Sequence, residues 1–205
     1  MTPKEALKKF WFLVWKDNSI KGWLISLVFL FIVIKFIFFP LMSFVTGTSL
    51  PLAIVESCSM YHDKSFFSSF SPWMERHADK YSNLNISSSE FSSFSLRRGF
   101  NKGDILLITR ANPQSLKVGD TIIFDAGQTN PIIHRIIKIS ETNGKRTFST
   151  EGDNNNGQIS FEKKISEEQL IGKARFVVAP YLGWVKLIFY DWQKPQEERG
   201  FCSEN

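Results

Sequence analysis

The stretch from Trp23 to Val45, "WLISLVFLFIVIKFIFFPLMSFV", limits the fold more than any other part of the 205-residue chain. A helix needs roughly 20 mostly apolar residues to cross a bilayer, and this run meets that length with Lys35 and Pro40 as its interruptions. Lys35 at mid-bilayer costs about 2.5–3.5 kcal/mol on insertion scales, which the surrounding Phe, Ile, Leu and Val residues outweigh. Pro40 is expected to kink the helix or end its regular part. The run is too long for a cleavable signal peptide, and no clear small-x-small site follows it at once. Lys4, Lys8, Lys9, Lys16 and Lys21 all precede it. The excess of cations places the N-terminus in the cytosol and everything after Thr46 outside or in a lumen.

This divides the chain. Residues 1–21 read as a cytosolic amphipathic segment, because "KEALKKFWFLVWK" suits a headgroup region. Residues 22–46 are the transmembrane anchor, 47–190 an extracytoplasmic β-rich domain, and 191–205 a polar tail. Within the domain, 62–98 is rich in Ser and Phe without a sustained helical period, and reads as an insertion loop with a short helix around Trp73–Lys80.

From Phe100 the strand signals are clean. "NKGDILLITR" and "KVGDTIIFDAG" each open on a Gly-Asp turn and run into branched apolar residues. "NPIIHRIIKIS" is a further strand, and Asn143–Gly144 is a hairpin turn leading to "TFSTEGD". "QLIGKARFVVAPYLGWVKLIF" adds one or two strands. The fold class is therefore mainly β, a small barrel or sandwich behind one N-terminal helix. "YLGWVKLIFYDW" is too short to span, and is expected to lie on the membrane or pack under the sheet, with Trp184 and Tyr190 at headgroup level.

Composition excludes some functions. The net charge of +5 does not form a basic stripe interleaved with aromatics, so nucleic acid is not an expected partner. Cys58 and Cys202 make neither a disulfide framework nor a zinc site. A Cys58–Cys202 bridge is the minority reading, since spacing is silent on it.

"IVESCSMYHD" places Ser59 about a dozen residues past the anchor. A serine needs a base to become a nucleophile. His62 is three residues on, and His77 falls in the poorly patterned loop. His134 stands in a strand pattern, and a strand holds an imidazole better than a loop does. Periodicity alone equally allows His134 to be the polar face of an alternating strand. Asp153, in "STEGDNNNG", can orient an imidazole, although Gly-Asp-Asn is also ordinary turn chemistry. Lys138, four residues along from His134, is an alternative base.

"VESCSM" after an anchor, then "IIHRI" and "TEGDNN" in that order, resemble type I signal peptidases, and more narrowly the archaeal and endoplasmic-reticulum branch, whose base is histidine. The resemblance runs from the anchor to "YLGWVKL". It implies a membrane-bound serine endopeptidase that removes signal peptides from secretory preproteins after small-x-small sites, with no metal and no organic cofactor. Ser59 would be the nucleophile, His134 the general base and Asp153 the acid. The backbone N–H of Ser59 and the Ser57 hydroxyl would form the oxyanion hole. Ile54, Val55, Ile132 and Ile133 would line the substrate groove, the segment "LAIVE" pairing with an extended substrate. Implied partners are the preprotein, the lipid bilayer and the protein-translocation channel. The location would be an archaeal cell membrane or the endoplasmic reticulum.

The chain departs from that pattern in places. Cys58 stands where relatives often have Gly, and His62 where many have Pro. Ile159 stands where relatives often carry a second aspartate, so the acid is Asp153 by default, with Asp104, Asp120 and Asp125 as substitutes. Cys58 as nucleophile is a rival, but adjacent side chains of an extended segment point to opposite faces. The contrasting reading is a catalytically silent membrane-tethered β-module, or a subunit of a translocation complex.

Overall fold

The computed structural model describes residues 2–62 and 70–203, and divides into two compact units, Met1–Thr46 and Gly47–Asn205. The first unit is a helical hairpin. Helix α1 (Pro3–Trp15) starts from a capping box, in which Thr2 and Glu5 each satisfy the other's backbone N–H. Ser19 caps α2 (Ile20–Val33), and the Ser26 hydroxyl reaches back to the Val14 carbonyl at 2.6 Å. Five residues, Ile34–Phe38, then form a π-helical turn before α3 (Phe39–Thr46). Pro40 explains that turn: it lacks an N–H and its ring crowds the carbonyl one turn earlier, and a widened turn relieves both. The α-helix is therefore interrupted ahead of Pro40 but continues past it. Ile20–Thr46 is one 27-residue run, long and apolar enough to cross a membrane. The Lys35 ammonium lies over the Phe31 and Phe36 rings, 5.6 and 5.5 Å from their centroids.

The second unit is built on six antiparallel strands forming a half-barrel in the order β1-β2-β6-β3-β4-β5. These are β1 (Leu52–Ile54), β2 (Ile105–Thr109), β3 (Thr121–Phe124), β4 (Ile132–Thr142), β5 (Lys145–Glu151) and β6 (Leu170–Ala179). Asn143 and Gly144 join β4 to β5 with φ of 53° and 74°, the left-handed pair that a two-residue hairpin turn requires. Strand β3 is buried along its whole length. Ile123 packs with Leu106, Ile108, Ala174 and Met60, while Ile122 and Phe124 join Ile136, Phe148 and Ile165. A bulge between Ile136 and Lys138 breaks the alternation of β4. Ile136 and Ile137 are both buried as a result, and Lys138 is left exposed.

Residues 63–69 of the Ser- and Phe-rich stretch lie outside the described residues, and the part from Phe70 on is more ordered than its sequence suggests. It forms α4 (Phe70–Arg76), α5 (Ala78–Asn83) and α6 (Ser88–Ser92), each too short to show a helical period. They share a core of Trp73, Met74, Tyr81, Ile86 and Phe91, which packs on Ile137 of β4. Beyond α7 (Trp184–Leu187), the polar tail is tied to the domain: Cys202 is disulfide-bonded to Cys58 with Cα atoms 5.3 Å apart. The minority reading of the cysteines is the correct one. The bridge closes across 144 residues, a proximity that only the folded sheet creates.

Candidate active site

Strand β1 runs into the segment that carries Ser57 and Ser59, and β4 carries His134. Together they line a groove of about 730 Å³, which Ile54, Val55, Ile132 and Ile133 also line. The two serine hydroxyls are 3.0 Å apart. Ser59 and His134 are not directly hydrogen-bonded among the described residues; in substrate-free sites such bonds commonly form only when substrate closes the geometry.

The carboxylate beside His134 is not that of Asp153. The buried carboxylate of Glu162 hydrogen-bonds His134 Nδ1. Its other oxygen accepts the Ile159 N–H at 2.9 Å, which fixes the carboxylate from behind. With the acid on Nδ1, a neutral ring carries its proton there and leaves Nε2 as the acceptor. Glu162 closes a short 3-10 turn, Ser160–Glu162. Nothing in its sequence neighbourhood, "SFEKK", marks it as chemical. The available signal was positional: it lies three residues beyond Ile159, where the resemblance leads one to look for an acid.

Asp153 does not reach His134. It is fully buried, takes 2.9 and 3.2 Å bonds from Arg135 Nε and a 2.7 Å bond from Arg135 Nη2, and also binds Tyr81 Oη and His62 Nε2, each at 2.9 Å. Burial alone would raise the Asp153 pKa, but the Arg135 charge and the bonds from His62 and Arg135 outweigh it and hold the carboxyl far below the ordinary range. Burial pushes the His62 imidazole down, with the Asp153 hydrogen bond opposing in part. His62 also lies flat on Trp73, with ring centroids 3.4 Å apart. The other aspartates serve elsewhere. Asp104 accepts from the N–H groups of Asn101 and Tyr181, Asp120 pairs with Lys173, and Asp125 accepts from the Gly127 N–H.

The "GDNN" turn instead holds the serine in place. Asn154 donates its N–H to the Ser59 carbonyl at 2.8 Å and its side-chain amide to the Cys58 carbonyl at 3.1 Å. A Cβ on Gly152 would sit 2.7 Å from the Ser59 carbonyl oxygen, so only glycine allows this approach. From α5, Lys80 Nζ donates to the carbonyls of Gly152, Asp153 and Asn155 at 2.7–3.0 Å, bracing the turn. The rival residues fall away on the same geometry. Cys58 has no free thiol, Lys138 does not line the groove, and His77 stacks on Trp73. Trp184 donates its indole N–H to the Lys102 carbonyl, so this ring is anchored in the domain.

No family model matches the chain. The human signal peptidase complex catalytic subunit SEC11C is 35% identical over 113 residues, which is 50% of this chain and 56% of the human protein. Over about half of its length the chain is similar to signal peptidase catalytic subunits. SEC11 of the yeasts Lachancea thermotolerans and Candida tropicalis is 32% and 33% identical over 104 residues, 46% and 47% of this chain and 61% of each relative. The chain thus spans little more than half the length of the curated relatives it matches.

Proposed function

We propose that the chain is a membrane-tethered serine endopeptidase that removes signal peptides from secretory preproteins. The observation that carries this reading is a groove holding Ser59 and His134, with Glu162 on the far side of the imidazole, in a relative of signal peptidase catalytic subunits. Ser59 attacks the scissile carbonyl while His134 Nε2 takes its proton, and Glu162 stabilises the imidazolium that forms. The Ser59 N–H and the Ser57 hydroxyl receive the oxyanion. His134 then protonates the departing amine, and water, activated by the same imidazole, releases the acyl group.

Strand β1 is the edge of the sheet, so an extended substrate can add to it by backbone pairing. Ile54, Val55, Ile132 and Ile133 then shape apolar pockets that admit small side chains beside the cut. The disulfide suits an oxidising compartment. That agrees with the orientation drawn from the lysines, with the N-terminus cytosolic and the groove outside, in an archaeal cell membrane or the endoplasmic reticulum. The translocation channel is the natural source of substrate.

The test is cleavage of a purified preprotein with a small-x-small site by the detergent-solubilised chain beside its Ser59→Ala variant. A cut after the small residue that disappears in the variant supports the reading. A cut that persists removes Ser59 from the mechanism. No cut from either favours a silent tethered module.

A further inference from the structure

Residues 191–203 fold back as an ordered strap. Gly200 N–H bonds Asp191 Oδ2 at 2.7 Å, and Arg199 Nε bonds the Lys194 carbonyl at 2.7 Å. The buried Lys102 ammonium pairs with Asp191 and donates to the Glu198 carbonyl, while the Phe201 ring packs 5.0 Å from Trp184. Three fastenings join this strap to the segment around Ser59. Lys194 Nζ donates to the Glu56 carbonyl. Cys202 is bonded to Cys58, the residue before Ser59. The Asn154 amide donates to the Cys58 and Ser203 carbonyls together, at 3.1 Å each. Lys194 and Glu198 also line the groove beside Ser59 and His134.

We propose that this strap is a working part of the peptidase site, with Cys202 a positioning residue that fixes Ser59 through Cys58; the proposal rests on the peptidase reading above. The segment from Glu56 to Ser59 has little secondary structure of its own. Its backbone is held by the "GDNN" turn on one side and by the strap on the other. Catalysis depends steeply on where a nucleophile sits, and a misplacement of about 1 Å can cost about 10²-fold in rate. An oxidised bridge is therefore a condition for full activity.

The experiment compares the full-length chain in detergent with its Cys58→Ser/Cys202→Ser double variant, and with the wild type reduced by dithiothreitol. That dithiol supplies two electrons and two protons, yielding two cysteine thiols and its own cyclic disulfide. Preprotein cleavage and hydrogen exchange are followed together. Opening the bridge should lower kcat about 10- to 100-fold with a smaller change in KM. It should also speed amide exchange in 56–60 and 194–203 while β4 and β5 keep their protection. Reoxidation with glutathione disulfide should restore the wild type and not the double variant. Unchanged exchange in 56–60, or an unchanged kcat, overturns the proposal. Should the oxidised wild type itself fail to cut, the peptidase reading falls, and the proposal with it, whatever the exchange shows.

Discussion

His134 and Arg135 are neighbours on β4 and project to opposite faces of the sheet, and this single step keeps two buried carboxylates apart. His134 meets Glu162 on the groove side, while Arg135 holds Asp153 on the side covered by the short helices, its guanidinium 4.9 Å from the Phe91 ring. The two acids therefore have different partners, and on the proposed mechanism different duties: Glu162 would orient the base, and Asp153 neutralises the buried Arg135 cation behind the serine segment.

Glu162→Gln tests the first duty. The amide can occupy the same space and still accept the Ile159 N–H, but it cannot stabilise an imidazolium or hold the tautomer as a carboxylate does. The expected outcome is a fall of about 10³–10⁴-fold in kcat with KM nearly unchanged and the thermal midpoint little moved. A variant with wild-type kcat would remove Glu162 from the catalytic group.

How far the sequence revealed this site depends on the range of each interaction. Ser59 and His134 stand out in the sequence because each sits in a local pattern, and the structure brings both to one groove; the strands behind them announce themselves by branched residues and Gly-Asp or Asn-Gly turns. Strand β1 is three residues long, so the sequence shows it as the extended segment "LAIVE" and not as a member of the sheet. Asp153 stands out by its motif, and the motif does brace the Ser59 segment, yet the partner of its carboxylate has no signal in the sequence. The turn after β5 aims its carboxylate at Arg135, one residue and one sheet face away from His134. Glu162 and the Cys58–Cys202 pair have no local pattern at all, since only the folded sheet brings their partners within reach.

Asp153→Asn tests the second duty. It leaves the Arg135 guanidinium buried without its counter-charge, and breaking a buried pair from one side typically costs about 3–5 kcal/mol. Denaturant or thermal unfolding of the detergent-solubilised chain should show a loss of this size. Protein that remains folded should keep its cleavage activity, in contrast to Glu162→Gln. A stable but inactive Asp153→Asn would return this residue to the catalytic group.

The same network makes stability dependent on pH. The folded pKa values of His62 and Asp153 are both lowered, so in each case the unfolded chain binds the proton more readily, and stability must rise with pH. The His62 contribution is lost as pH falls below about 6.5, and the Asp153 contribution below about 3.9, the values these groups take in an unfolded chain. Thermal midpoints measured from pH 8 to pH 3 should decline in two stages. His62→Gln, which keeps a polar side chain but takes no proton, should remove the upper stage alone; a midpoint flat from pH 8 to pH 4 in the wild type would contradict the assignment.

Ser57→Ala probes the remaining group in the groove. The Ser57 hydroxyl is exposed and lies 3.0 Å from that of Ser59, so removing it leaves no buried partner unsatisfied and should change stability by less than about 0.5 kcal/mol. Its proposed work is done only when negative charge forms on the substrate oxygen. Loss of one such donor typically costs about 2.7–4 kcal/mol, a fall of about 10²–10³-fold in kcat. Because the interaction belongs to the transition state, KM should hold steady while kcat and kcat/KM fall together. A rise in KM at constant kcat would instead make Ser57 a ground-state contact, and would leave the backbone N–H of Ser59 as the donor to the oxyanion.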